Sequence, residues 1–273
     1  MFTSNNTDSW SLGEIQALVV KAARGSGKHW GWSEEAAFAV DWLEQRRLPG
    51  TRAISALLAT ESTNPNTRNN SDTESHNQKI DKSKALCPLD TGMQLSDGSL
   101  HLTPSAPLQL YTAQPLLLLP FLSLLLRDVR GESKERPLVS PEASYQLSLR
   151  FDSTVITMDT DTNETVVVTL QNLPRISDLN DAEISKPEDH FADHLITDEA
   201  ECSVQLLALS ESAIKAEKLT AKQHKFDANP SNRVCQQAQS AIAKLDQLAQ
   251  LTYAPVTEES RHKGAGAGLT DND

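Results

Sequence analysis

Pro115 to Leu126 reads PLLLLPFLSLLL, a dozen residues with almost nothing polar in them. A chain carrying such a segment has to hide it. A membrane span needs roughly 20 consecutive apolar residues, and Pro120 stands inside this run. The segment is therefore read as a buried core element around which the rest of the chain packs. Core material elsewhere comes mainly from Leu, Val, Ile and Ala, because aromatic residues make up only 5% of the chain. With 273 residues the chain is long enough to bury a sizeable core, as one large domain or two small ones.

Charge narrows the range of partners. Twenty-five Lys and Arg against 37 Asp and Glu give a net charge of −12. Nucleic acids and anionic membranes are bound through cationic faces that displace counterions, so neither is expected as a partner. Cys87, Cys202 and Cys235 are far apart, without the close spacing of a zinc knuckle or a redox dithiol. That usage fits a reducing cytoplasm, and Met1 to Asp8 lacks the basic-then-apolar pattern of a signal peptide.

Along the first sixty residues the apolar spacing is helical. Leu12, Ile15, Leu18, Val19 and Ala22 form one stripe, and Ser11 followed by Glu14 has the form of a capping box. Ser33 is the predicted N-cap of a second helix, with Glu34 and Glu35 in its first turn and Leu48-Pro49-Gly50 after its end. A third helix is predicted over Arg52 to Thr60. Residues 61–84 hold little to bury and are expected to form a polar, flexible loop.

From 85 to 256 the pattern is that of an α+β core. Leu100 to Leu102 is a candidate strand, and Tyr145 to Phe151 alternates with the period of a half-buried one. Ser153–Met158 and Thr165–Leu170 make a predicted hairpin with a loop of about five residues. Val204 to Leu209 is a further strand. Antiparallel pairing is expected, since these runs lie too close for helical crossovers. Ala241, Ile242, Leu245, Leu248, Ala249 and Leu251 predict a closing helix. Residues 257–273 form a Gly-rich C-terminal extension. The fold class expected is thus α+β: N-terminal helices, a mostly antiparallel central sheet, and a C-terminal helix with a Gly-rich tail.

Several ordered features then carry a likeness. Leu12-Gly13-Glu14, Lys21-Ala22-Ala23-Arg24-Gly25, Trp30-Gly31 and Glu34-Glu35-Ala36 are followed by Leu48-Pro49-Gly50. The chain closes on Tyr253-Ala254-Pro255 and on Gly264 to Asp273, GAGAGLTDND. Together these resemble a proteobacterial family catalogued only as a domain of unknown function, over nearly the whole chain. The resemblance implies no activity, cofactor or catalytic residue, so the cofactor and any reaction stay open. The first helices are also similar to the start of malate and lactate dehydrogenases of the non-Rossmann type. The Ser-His-Gly sequence that follows in those enzymes is missing here.

Four groups of residues invite a chemical reading. Gly25-Ser26-Gly27-Lys28 suggests a phosphate loop, but that motif needs Gly at 22 and a hydroxyl at 29, where Ala22 and His29 stand. A helix C-cap and turn is the reading adopted. His190 and His194 would lie one helical turn apart and are weak metal candidates. Phe191 occupies the place where a zinc hydrolase motif carries its Glu, so no metal is favoured. Trp30, Trp32 and Trp42 are expected in helix packing rather than in a ligand cage.

The fourth group lies in the tail. Gly264, Gly266 and Gly268 allow close backbone approach to a ligand and could present an anion nest. Asp271, Asn272 and Asp273 add acceptors, while Glu258 and Arg261 lie just before. The function expected is binding of a small polar metabolite at a site completed by this tail. The alternative is a non-catalytic assembly or accessory protein whose tail docks onto a partner or a second subunit.

Overall fold

A computed structural model describes residues 10–63, 85–103, 106–129, 144–152, 154–160, 166–171, 195–209, 224–226 and 238–253. The predicted loop over 61–84 lies outside them except for its first three residues, and so does the extension after Tyr253.

Three helices open the chain: α1, Leu12–Gly25; α2, Trp30–Gln45; and α3, Gly50–Thr63. The Ser11 box forms as expected, with the Glu14 backbone N–H donating to the Ser11 hydroxyl and the Glu14 carboxylate accepting from the Ser11 N–H at 2.8 Å. The Ser11 N–H and then the Ser11 hydroxyl, both donating to that carboxylate at 2.8 Å, hold the Glu14 carboxyl below its usual pKa. α2 begins a turn earlier than predicted. Its N-cap is His29, whose Nδ1 accepts from the Trp32 N–H at 3.1 Å. Ser33 is instead buried inside the helix and donates to the His29 carbonyl at 3.0 Å. An imidazole can satisfy the same orphan donor as a hydroxyl, which is why the usual cap residues misled.

The chain then forms α4, Pro88–Ser96, and β1, Leu108–Ala113. Leu100 to Leu102, a predicted strand, lies in a bend and an irregular stretch. The strand comes later, where Leu110 and Thr112 face inward and the chain can pair. A short 3-10 turn, Pro115–Leu118, leads into α5, Leu119–Val129. Leu116 to Leu119, Phe121, Leu122 and Leu126 are all buried, so the apolar dozen is indeed a core element. Among the described residues no helix is long and apolar enough to cross a membrane.

Five further strands follow: β2, Ser144–Phe151; β3, Thr154–Thr160; β4, Val166–Gln171; β5, Glu199–Leu209; and β6, His224–Phe226. They join β1 in one six-stranded sheet of order β1-β5-β2-β3-β4-β6, every neighbour antiparallel. The predicted β3–β4 hairpin is present, with Met158 opposite Val168. Leu147, Leu149 and Phe151 of β2 alternate inward, as do Cys202, Val204 and Leu206 of β5. α5 packs on β2 and β3 on one side and on α2 and α4 on the other, joining helices and sheet.

The last described helix is α6, Gln239–Gln250, seated on α1 and α3. Ala241, Ile242, Leu245 and Ala249 are buried as its spacing predicts, but Leu251 is 68% exposed. The order is that of an α+β protein with N-terminal helices, an antiparallel sheet and a C-terminal helix.

One half-buried acid tunes this packing. A single oxygen of Glu44, at the end of α2, accepts from both the backbone N–H and the hydroxyl of Thr51 at 2.7 Å. Burial nonetheless raises the Glu44 pKa, those two bonds opposing it. A carboxyl raised on folding contributes stability that is complete below its unfolded pKa and is lost as pH rises through its folded pKa. Glu44→Gln keeps the accepting oxygen and removes the charge. We expect its melting temperature to decline less than the wild type's as pH rises from the ordinary carboxylate range toward neutrality. Identical pH slopes in thermal melts would rule this out.

Candidate functional site

The two chain segments that meet at one end of the sheet create an unusual arrangement. β1 finishes at Ala113, directly opposite Glu199, the first residue of β5. The next residue, Gln114, has φ 41° and ψ 62°, a left-handed conformation adopted immediately before Pro115. Non-glycine residues pay to enter that region, and such strain collects at functional sites. Its backbone N–H is shared between the carbonyls of Thr197 and Asp198 at 3.2 and 3.3 Å. Its own carbonyl accepts from the Leu117 N–H at 3.0 Å, which starts the apolar helical segment.

The side chain is 0% exposed, and neither its Oε1 nor its Nε2 has a hydrogen-bond partner. A primary amide brings two donors and one acceptor oxygen, and burying them unpaired costs about 1–3 kcal/mol. Neighbouring polar groups are by contrast well served. Thr112 donates its hydroxyl to the Leu86 carbonyl at 2.9 Å, and Leu86 bridges in parallel onto the outer edge of β1.

Exposed oxygen groups rim the same end. Asp152 turns β2 into β3 with φ 47°, and its carboxylate accepts from the Thr197 hydroxyl at 3.4 Å. The Tyr111 hydroxyl donates to the Glu199 carboxylate at 2.7 Å, a bond that raises the tyrosine pKa. Cys202, opposite Phe151 in the register, is buried. Burial pushes its thiol up to about 12, with the Asp152 charge adding to the shift, so it is a protonated packing group rather than a nucleophile. The arrangement can accept hydrogen bonds from hydroxyl or ammonium groups at its rim. The buried Gln114 amide at this end of the sheet can both donate and accept.

None of the residues selected from sequence as ligand groups is among the described ones. Glu258, Arg261, Gly264, Gly266, Gly268, Asp271, Asn272 and Asp273 lie beyond Tyr253, and His190 and His194 precede Leu195. Among the described residues no group of three or more His, Cys, Asp or Glu is placed to hold a metal ion. Gln114 was legible only as the polar boundary of the apolar dozen. The one available signal was a lone amide before a proline at the end of an alternating run.

The helical end carries the other notable groups. Trp32 and Trp42 are buried as expected, with Lys28 4.6 Å above the first ring and Arg46 3.9 Å from the second. Arg46 is itself buried and caps the Trp42 carbonyl at 3.0 Å. Desolvation lowers its pKa to about 10, partly offset by Asp41. Trp30, expected in packing, is 60% exposed. The Gly25 turn is a helix C-cap, with the Ser26 N–H donating to the Ala22 carbonyl at 2.9 Å, and the phosphate-loop reading stays excluded.

Fold and site together define an α+β protein with a polar end to its sheet. Over residues 10–95, from α1 into α4, the chain matches the family described as Protein of unknown function (DUF3726). The resemblance seen in sequence thus holds for the N-terminal helices, while the sheet and the Gly-rich ending lie outside the matched segment. No curated protein and no solved structure matches the chain.

Proposed function

We propose that this protein binds a small polar metabolite at the sheet end built around Gln114, in the cytoplasm. The observation that carries this reading is the fully buried Gln114 amide, held in a left-handed backbone with both polar atoms unpartnered. A ligand bearing adjacent donor and acceptor groups would offset the cost of that burial. In this reading the tail completes the site. Arg261 anchors an anionic group, Glu258 supplies an acid, and the backbone at Gly264, Gly266 and Gly268 closes on the ligand. Asp271, Asn272 and Asp273 accept from its hydroxyls.

Native mass spectrometry of gently purified protein tests the reading. The expected result is a retained small mass that is absent from Gln114→Leu and from a chain lacking residues 264–273. Gln114→Leu should at the same time be about 1–3 kcal/mol more stable than ligand-free wild type, because no desolvated amide remains. Loss of ligand is thereby separated from loss of fold. Wild-type protein that retains no small mass sinks the reading.

A second reading is favoured by a different observation. The large apolar side chains that stay exposed among the described residues are Trp30, Leu251 and Tyr253, and all belong to one end of the helical layer. That is what a non-catalytic accessory protein with a docking face would present. Sedimentation velocity of the full chain and of the chain lacking 264–273 checks whether an assembly forms and whether the tail holds it.

A further inference from the structure

Against a net charge of −12, one end of the helical layer is basic. Between Glu14 and Glu34 the sequence contains no acid, while Lys21, Arg24 and Lys28 fall within it; exposed Glu34 lies one turn beyond Trp30 in α2, so three cations face one exposed acid there. After Asp246 the end of α6 is likewise free of acids as far as Tyr253. The two segments meet: a Cβ at Gly25 would lie 3.5 Å from the Leu251 Cβ, and Trp30 follows five residues on, across the turn into α2. Lys21 and Arg24 are exposed, and the Arg24 guanidinium fixes the turn by donating to the Lys28 carbonyl at 2.6 Å. Trp30, Leu251 and Tyr253 are 60%, 68% and 63% exposed.

We propose that this end of the helical layer, formed by Lys21, Arg24, Trp30, Leu251 and Tyr253, docks a short acidic peptide segment of a partner protein, anchored by an apolar side chain. The proposal rests on the accessory reading above. Charge complementarity chooses the occupant. A second copy presenting the same face would set cations against cations. A nucleic acid or an anionic membrane would extend beyond the patch and, past a Debye length of about 8–10 Å, meet the acidic remainder of the molecule. A short acidic segment meets only the local field. The tryptophan and tyrosine supply the rigid contact area typical of interface anchors.

The test is fluorescence anisotropy of a labelled peptide, Glu-Glu-Asp-Leu-Phe-Glu-Asp-Leu, against the full chain. Protein and peptide repel each other as wholes, so binding has to be local. Binding is expected, weakening as salt is raised, with Kd about tenfold or more higher for Trp30→Ala and for Lys21→Glu. Both side chains are exposed, so these variants keep the fold, which circular dichroism checks. Absence of binding overturns the proposal, as does binding that neither substitution weakens. A single-stranded oligonucleotide or a phosphatidylserine vesicle that binds with the same dependence where the peptide does not also overturns it. An assembly seen by sedimentation that Trp30→Ala leaves intact would mean that the accessory reading stands while this surface assignment fails.

Discussion

Gly25→Ala is expected to destabilise the protein by about 2–4 kcal/mol, lowering the melting temperature by roughly 5–15 °C. The added Cβ would overlap the backbone carbonyl oxygen of Leu248, so α1 and α6 would have to move apart along the whole contact between them. A flexible side chain can swing away from an intruding methyl group, but a backbone carbonyl inside a helix cannot. Gly13→Ala is the control. It lies in α1 with nothing within 4 Å of its Cβ position, and relief of glycine's entropy cost should leave it neutral or up to about 1 kcal/mol more stable. Thermal unfolding followed by circular dichroism reads both. Equal melting temperatures for the two variants would show that α1 and α6 do not meet at Gly25.

Gly92→Ala should cost about 1–3 kcal/mol, for a related reason with a different remedy. Its Cβ would overlap the Phe121 ring, which is buried and already packed edge-to-face on Phe38 with centroids 5.9 Å apart. Here the obstacle is a side chain, so a second substitution can relieve it. Phe121→Leu alone leaves a gap and destabilises; combined with Gly92→Ala it should cost clearly less than the sum, by about 0.5–3 kcal/mol of coupling. Urea unfolding of the two single variants and the double variant measures this. Simple additivity would show that α4 and α5 do not meet at this pair.

Both glycines show how far the sequence could be read. Gly25 was legible as a helix stop, since Gly25-Ser26-Gly27 interrupts the apolar period, and the C-cap is there. That it is also the place where α6 crosses α1 was not legible, because Leu248 is more than two hundred residues away in the chain. Gly92 lies in a nine-residue helix too short for its spacing to register. The candidate site divides in the same way. Its tail residues stand out by composition, whereas Gln114 becomes notable only once the Thr197–Asp198 segment closes over its backbone and its amide is left unpartnered. The exposure of Trp30 and Leu251 was likewise hidden: both have the composition of core residues, and Leu251 even keeps its place in the apolar stripe.

What the sequence determined by itself is the local and the periodic. The Ser11–Glu14 box, the helical stripes of α1 and α6, the alternation in β2 and the β3–β4 hairpin each depend on residues a few positions apart. The same holds for the need to bury Leu116 to Leu126, which their solvation free energy alone requires. Tertiary structure decided everything that depends on which distant segments meet: the strand order β1-β5-β2-β3-β4-β6, the crossing at Gly25, the unpartnered amide of Gln114 and the apolar groups left at the basic end. Backbone propensity and amphipathic period act over one or two turns. The desolvation of a particular amide, or the exposure of a particular tryptophan, is set by whichever remote surface packs against it or fails to.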